Sequence, residues 1–395
     1  MIVAEVLAVL LGAWVVVSVL LSAIRTVVVP RGESLALTAF VFIGLRKLLH
    51  PVVDRMGPVR RERVLARYAP LSLMFLAASW SVLVILGYTL IFWGISGRTW
   101  AEALEVSGSS LTTLGFLKVS GTPTVMLSVS EALIGLGLVG LLISFLPTMY
   151  SIYNRRELAV AQLATRAGTP PSVAVLVTRL HRIHGLDELD DMWSDWEEWF
   201  ADLEETHTSY PALVYFRSGH GRSWLTSAGA VLDTAAVVTA AVDVPSRPQA
   251  NLCLRAGFLA LREVADHFGQ TYDPEPSPDD PISVTRAEFE VCLDELAATG
   301  VPLRADRDQA WRDFAGWRVN YDAALIGMCA VTEPPVAPWS SDRAPRWSPP
   351  FLRTVWRART AGYRESRELR RAEVDGSEAT GAGPSVEERQ LRNDT

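Results

Sequence analysis

Three apolar stretches dominate the first half of the chain: residues 6–24 and 69–97, which carry no charge, and residues 119–154, whose only acidic residue is Glu131. A bilayer core of about 30 Å is crossed by about 20 apolar helical residues, so each stretch predicts a transmembrane helix. A shorter run, 35–45, stops at Arg46 and Lys47 and predicts an interfacial or cytoplasmic-side helix. From about Ser151 onward the chain turns polar and acidic, and its apolar positions recur at helical spacing. Leu189, Trp193, Trp196, Trp199 or Phe200, and Leu203 share one face of a helix whose other face carries Asp190, Asp191, Asp195, Glu197, Glu198, Asp202, Glu204 and Glu205. Its tryptophans read as core. Residues 210–225 read as an inter-helix loop. Further helices are expected over 233–242, 252–268, 285–298 and 306–327, with prolines marking the loops between them.

The predicted fold class is therefore all-α: an integral membrane part followed by a helical cytoplasmic domain. Its divisions are an N-terminal transmembrane helix (1–30), a cytoplasmic or interfacial linker helix (31–68), a two-helix membrane module (69–156), a helical domain (157–331), and a proline-rich connector with a disordered tail (332–395). The outer helix of the module spans 69–97 and the inner helix 124–150.

Charge sets the expected orientation. Arg25, Arg31, Arg46, Lys47, Arg55, Arg60, Arg61, Arg63 and Arg67 lie between the first two apolar stretches. Positively charged loops stay in the cytoplasm, so the N-terminus is expected outside, the segment 98–123 outside, and everything after Arg155 and Arg156 inside. The N-terminus has no basic residue ahead of its apolar run, so an uncleaved helix is expected rather than a signal peptide. The overall charge of -7 gives no basic excess for binding nucleic acid. Cys253, Cys292 and Cys329 lack metal-ligand spacing and read as small buried hydrophobes.

The segment between the second and third stretches carries the candidate chemistry. Residues 100–111 form a short helical pattern rich in small residues, followed by Thr112, Thr113, Leu114, Gly115 and Phe116. A short helix that dips into the membrane turns the negative end of its dipole toward a cation, and a turn of backbone carbonyls can replace an ion's hydration shell. Burial of Glu131 within the third stretch calls for a partner behind the short helix, among Ser107, Ser109 and Ser110. Gly135, Gly137 and Gly140 lower local helix stability and allow close helix packing, and Pro147 is placed to kink the helix.

Outer span, short helix, threonine-glycine turn and inner span together resemble the pore module of the potassium-channel superfamily, in the form shared by two-pore-domain and bacterial two-helix channels. The resemblance covers about 69–156, with the filter at 112–117. Ser110, Leu111, Thr112, Thr113, Leu114, Gly115 and Phe116 stand where that family's filter reads Thr-x-Thr-Thr-Val-Gly-Tyr. Leu117 and Lys118, at the outer mouth, replace its following glycine and aspartate. The run from Ser130 to Gly137 is similar to the Glu-Ala-x-x-Gly start of the family's inner helices, where a glycine can act as a gating hinge; that resemblance implies a hinge at Gly135, Gly137 and Gly140, with Pro147 near an inner gate, as the alternative to plain helix packing.

The resemblance implies passive conduction of potassium or another monovalent cation through a homotetrameric pore in the cell membrane. Thr112 to Phe116 would form the ion filter, with Ser110 and Glu131 as its support and membrane lipid around it. No catalytic residue, cofactor or metal is expected, because nucleophile elbow, P-loop and metal signatures are all missing from the sequence. The pairs His181 and His184, Glu204 and His207, and Glu263 and His267 read as helix faces. Two alternatives stay open: a pore fold that no longer conducts and acts as a sensor or scaffold, and a membrane-anchored protein whose function lies in the helical domain.

Overall fold

The computed structural model describes residues 2–27, 36–117, 119–183, 185–245 and 248–346. Within them the fold is helical, and the strand-like pairing is confined to an isolated bridge between Val242 and Leu303. Lys118, His184 and the tail beyond 346 lie outside the described residues.

Helix α1 (Ile2–Val27) packs along α3 (Pro58–Ser96) with their backbones nearly touching. A Cβ at Gly12 would lie 2.4 Å from the Gly87 carbonyl oxygen, closer than any side chain permits. Helix α2 (Ala36–Val53) runs through Arg46, Lys47 and Pro51, past the expected end of the apolar run at 45. It is held at the foot of α3 by the Tyr68 hydroxyl, which donates to the Phe42 carbonyl at 2.7 Å. Helix α3 begins at Pro58 rather than at 69, because a proline at the first turn favours initiation and the arginines that follow are good helix formers.

Helix α4 (Trp100–Leu111) has the limits expected from sequence. A capping box closes its N-terminus: Thr99 Oγ1 accepts from the Glu102 amide at 3.3 Å, and Glu102 Oε2 accepts from the Thr99 amide at 3.0 Å. Helix α5 (Thr122–Ala167) is far longer than the expected 124–150, and the domain boundary placed at 157 falls inside it. Pro147 does not interrupt it. Arg156, Val160, Leu163 and Ala167 are buried at helical spacing along its lower part, so packing against the second half of the chain carries the helix on to Gly168.

That second half forms one packed helical body: α6 (Val173–Arg182), α7 (Leu189–Ser209), α8 (Trp224–Ala241), α9 (Pro248–His267), α10 (Arg286–Ala298), α11 (Arg307–Arg318) and α12 (Asp322–Thr332). The acidic amphipathic helix is α7, with Trp193, Trp196, Trp199, Phe200 and Leu203 buried in the core it shares with α8 and α9. Helix α8 starts well before the expected 233, at the edge of the segment expected to be a loop. The expected helix 306–327 is two helices, broken where the Asn320 side chain donates to the Gly316 carbonyl at 2.9 Å and closes α11. Residues 332–346 are not a free connector. Trp339 packs on Phe314 with ring centroids 5.5 Å apart, and Arg343 reaches Glu288 at 2.9 Å.

Four helices among the described residues are long and apolar enough to cross a membrane: α1, α3, α5 and α8. The sequence predicts three. The fourth, α8, has 94% of its apolar window buried inside the protein, the state of a core helix, whereas α5 has only 11% of its window covered.

Candidate pore loop and its supports

The C-terminus of α4 folds into the candidate filter through a local hydrogen-bond exchange. The Thr113 amide donates to the Ser110 carbonyl and the Leu114 amide to the Ser109 carbonyl, each at 3.0 Å. This is the double bond pattern of a helix stop that normally uses glycine at its left-handed position. Here that position is Thr113, at φ +57°, an uncommon conformation for a β-branched residue. Gly115 follows at φ +66°.

The polarity of the loop follows from this turn. The Gly115 amide reaches the Ser109 carbonyl at 3.4 Å, and the Phe116 amide donates to Ser109 Oγ at 3.2 Å. The donors of Leu114, Gly115 and Phe116 thus point back at one residue of α4. The carbonyls of Thr113, Leu114 and Gly115 accept no bond from any described residue. Thr112 to Phe116 are exposed, Leu114 to 69% and Phe116 to 63%. Thr112 Oγ1 donates to the Gly108 carbonyl at 2.6 Å and Thr113 Oγ1 to the Thr112 carbonyl at 2.7 Å. Ser109, one of three candidates to partner Glu131, is instead the residue that gathers the loop.

Behind α4, Glu131 is fully buried. Ser107 Oγ lies 2.5 Å from Glu131 Oε1 and 2.9 Å from the Ile85 carbonyl, so α3, α4 and α5 meet at one hydroxyl. Glu131 Oε2 has no partner among the described residues. Ser110 is turned away, donating to the Val106 carbonyl of its own helix at 2.8 Å. Of the three glycines, Gly135 is where α5 meets the end of α4. A Cβ there would lie 2.2 Å from the Leu111 carbonyl oxygen, while Gly137 and Gly140 face open space. Leu117 is half-buried against the core of the N-terminal helices.

The foot of α5 is clamped to the helical domain by Arg156, a residue whose sequence signal bears only on orientation. Its guanidinium is buried and donates to the Leu213 carbonyl at 3.0 Å and the Phe216 carbonyl at 2.6 Å. It also contacts Glu157 at 2.8 Å and His207 Nε2 at 3.0 Å. Leu213 and Phe216 themselves pack into the core of the N-terminal helices, so this turn joins the two halves. The sequence shows an arginine at the end of an apolar helix and a distant aromatic-rich loop, a pattern too common to single the clamp out.

His207 reads clearly in this setting. Nδ1 donates to the Leu203 carbonyl at 3.0 Å, which leaves Nε2 to accept from Arg156. Burial, and then the Arg156 charge, hold its pKa well below 6.5. A histidine with a depressed folded-state value is protonated first in the unfolded chain, so its contribution is present above pH 6.5 and is lost as pH falls below it. Stability against urea is expected to drop by up to about 1.4 kcal/mol per pH unit from this group below that point. His207→Gln removes that part of the slope. An identical slope in the variant would show that His207 does not titrate on unfolding.

Among the described residues no three His, Cys, Asp or Glu side chains converge as a metal site. No protein-family model, no curated protein and no solved structure matches this chain.

Proposed function

We infer that the chain is the subunit of a cation channel in the cell membrane, a homotetramer whose four α4 loops line a shared axis. In this reading α1, α3 and α5 cross the bilayer, α4 dips in from the outer side, the N-terminus is outside, and α6 to α12 lie in the cytoplasm. The observation that carries it is the one-sided polarity of the loop. Its amides are used up on Gly108, Ser109 and Ser110 of α4, and its carbonyls at Thr113, Leu114 and Gly115 accept nothing from the described residues, at the negative end of a helix dipole. A cation is the ligand that such a ring of acceptors suits.

The uncovered side of α5 supports an assembly. Val129, Leu136, Val139 and Ile143 form an exposed apolar strip suited to lipid. Beside it Gly137, Gly140, Ser144, Thr148 and Ser151, spaced three and four apart, form an exposed strip of small and hydroxyl residues. Lipid has no use for such a strip, whereas neighbouring helices or a water-filled path do.

Flux through vesicles containing the purified protein tests the reading. Among the described residues Gly115 has nothing within 4 Å of a Cβ position, so against them Gly115→Ala meets only the left-handed backbone penalty of about 1–2 kcal/mol. The fold is expected to survive while potassium flux falls to the level of protein-free vesicles. A wild-type protein that passes no cation, or a variant that conducts unchanged, removes this loop from an ion pathway.

A further inference from the structure

The foot of α2 and α3 carries an unusual charge balance for a chain of net charge -7. Between 36 and 67 stand Arg46, Lys47, Arg55, Arg60, Arg61, Arg63 and Arg67, against only Asp54 and Glu62. The inward members are consumed within the protein. Arg46 and Arg61 both bind Glu333, at 3.1 and 3.0 Å. Glu62 binds Arg217 at 2.6 Å, and Asp54 lies 2.9 Å from His50 Nδ1. Lys47, Arg55, Arg60, Arg63 and Arg67 are exposed and have no ion-pair partner among the described residues.

Helix geometry says what they face. Arg60, Arg63 and Arg67 lie three and four residues apart on one side of α3, and the same line continues into Leu71 and Met74, both exposed. The change from arginine to apolar residue takes one turn. A single uninterrupted face that is cationic at one end and apolar at the other matches the boundary between headgroups and acyl chains. On α2, Leu48 and Val52 are exposed beside Lys47, with Arg55 just past the helix end, the pattern of a helix lying in that boundary. A soluble acidic protein would complement the charges but not the apolar continuation.

We propose that this face binds anionic phospholipid headgroups of the leaflet on the side of the helical domain, holding acidic lipids around the foot of α3. The proposal rests on the membrane placement given above and not on conduction. It is tested with the full chain in vesicles of equal parts phosphatidylcholine and phosphatidylglycerol, by extracting the protein in mild detergent and measuring the lipids that stay with it. Phosphatidylglycerol is expected to be enriched about fivefold or more, since each cation near a surface favours an anionic one by about that factor. Enrichment should shrink in high salt.

The triple variant Arg60→Gln, Arg63→Gln, Arg67→Gln should bring the ratio close to that of the bulk vesicle. Replacement of the same three by Lys should keep it, because charge rather than guanidinium shape is at stake. An unenriched wild type, or an enriched glutamine variant, overturns the proposal. So does a glutamine variant whose lipid ratio is unchanged but whose assembly falls apart, because the face would then bind a second copy. Enrichment without cation flux sinks the channel reading alone, and flux without enrichment sinks this one alone.

Discussion

Arg318→Met is expected to unfold the helical domain or leave it barely stable. Arg318 is completely buried, with Nη1 2.5 Å from Asp233 Oδ1, Nε 2.7 Å from Asp322 Oδ1, and Nη2 donating to the Trp339 carbonyl at 2.7 Å. Burial opposes its charge, but Asp233, Asp322 and Tyr321 outweigh burial and hold its pKa above the ordinary arginine value. Methionine fills the space but strands Asp233 in the core with only the Tyr321 hydroxyl, 2.8 Å away, to satisfy it. Removing one partner of a buried pair costs about 3–5 kcal/mol, a large share of the roughly 5–15 kcal/mol that keeps a domain folded. Tryptophan fluorescence in urea reads the loss directly, since α7 carries the buried Trp193, Trp196 and Trp199.

The pair also ties distant segments together, which sharpens the test. Adding Asp233→Asn to Arg318→Met removes the stranded charge and should recover part of the loss, because an amide can still accept from Tyr321. Trp339 would stay without its arginine, so recovery should be incomplete. A single variant as stable as the wild type would mean that the core tolerates Asp233 as a neutral acid.

How much of this molecule is legible in its sequence? The apolar stretches and the limits of α4 are, because they rest on local rules: helical periodicity, charge-free length, and a threonine and glutamate three apart at Thr99 and Glu102. The length of α5 is not, since its continuation past residue 150 depends on burial against the helical domain rather than on composition. The start of α8 escapes notice because its first turns, Trp224 to Ala228, lack polar alternation, which is what full burial produces. The buried network of Asp233, Arg318 and Tyr321 joins positions far apart in sequence, so spacing carries no sign of it. In the loop, residue types point to Thr113 and Gly115, but the role of Ser109 as the shared acceptor appears only in three dimensions.

Gly135→Ala is expected to cost as much function as Gly115→Ala, although Gly135 lies outside the loop. Its Cβ would lie 2.2 Å from the Leu111 carbonyl oxygen, an atom of the backbone at the very end of α4, so relief requires α4 itself to move. Overpacking of this kind costs about 1–3 kcal/mol. Because Ser107 anchors α4 to Glu131 one turn earlier on α5, the helix end has little freedom to tilt away without breaking that bond. Displacement at Leu111 passes directly to Thr112 and Thr113, so cation flux should vanish even though alanine is the better helix former by about 1 kcal/mol. Gly137→Ala and Gly140→Ala meet nothing among the described residues and should leave thermal stability equal or higher. Their flux then separates two uses of glycine in α5. If they conduct normally while Gly135→Ala does not, close approach at Leu111 is what matters; if they lose gating while Gly135→Ala conducts, the helix bends there and the contact with α4 is dispensable.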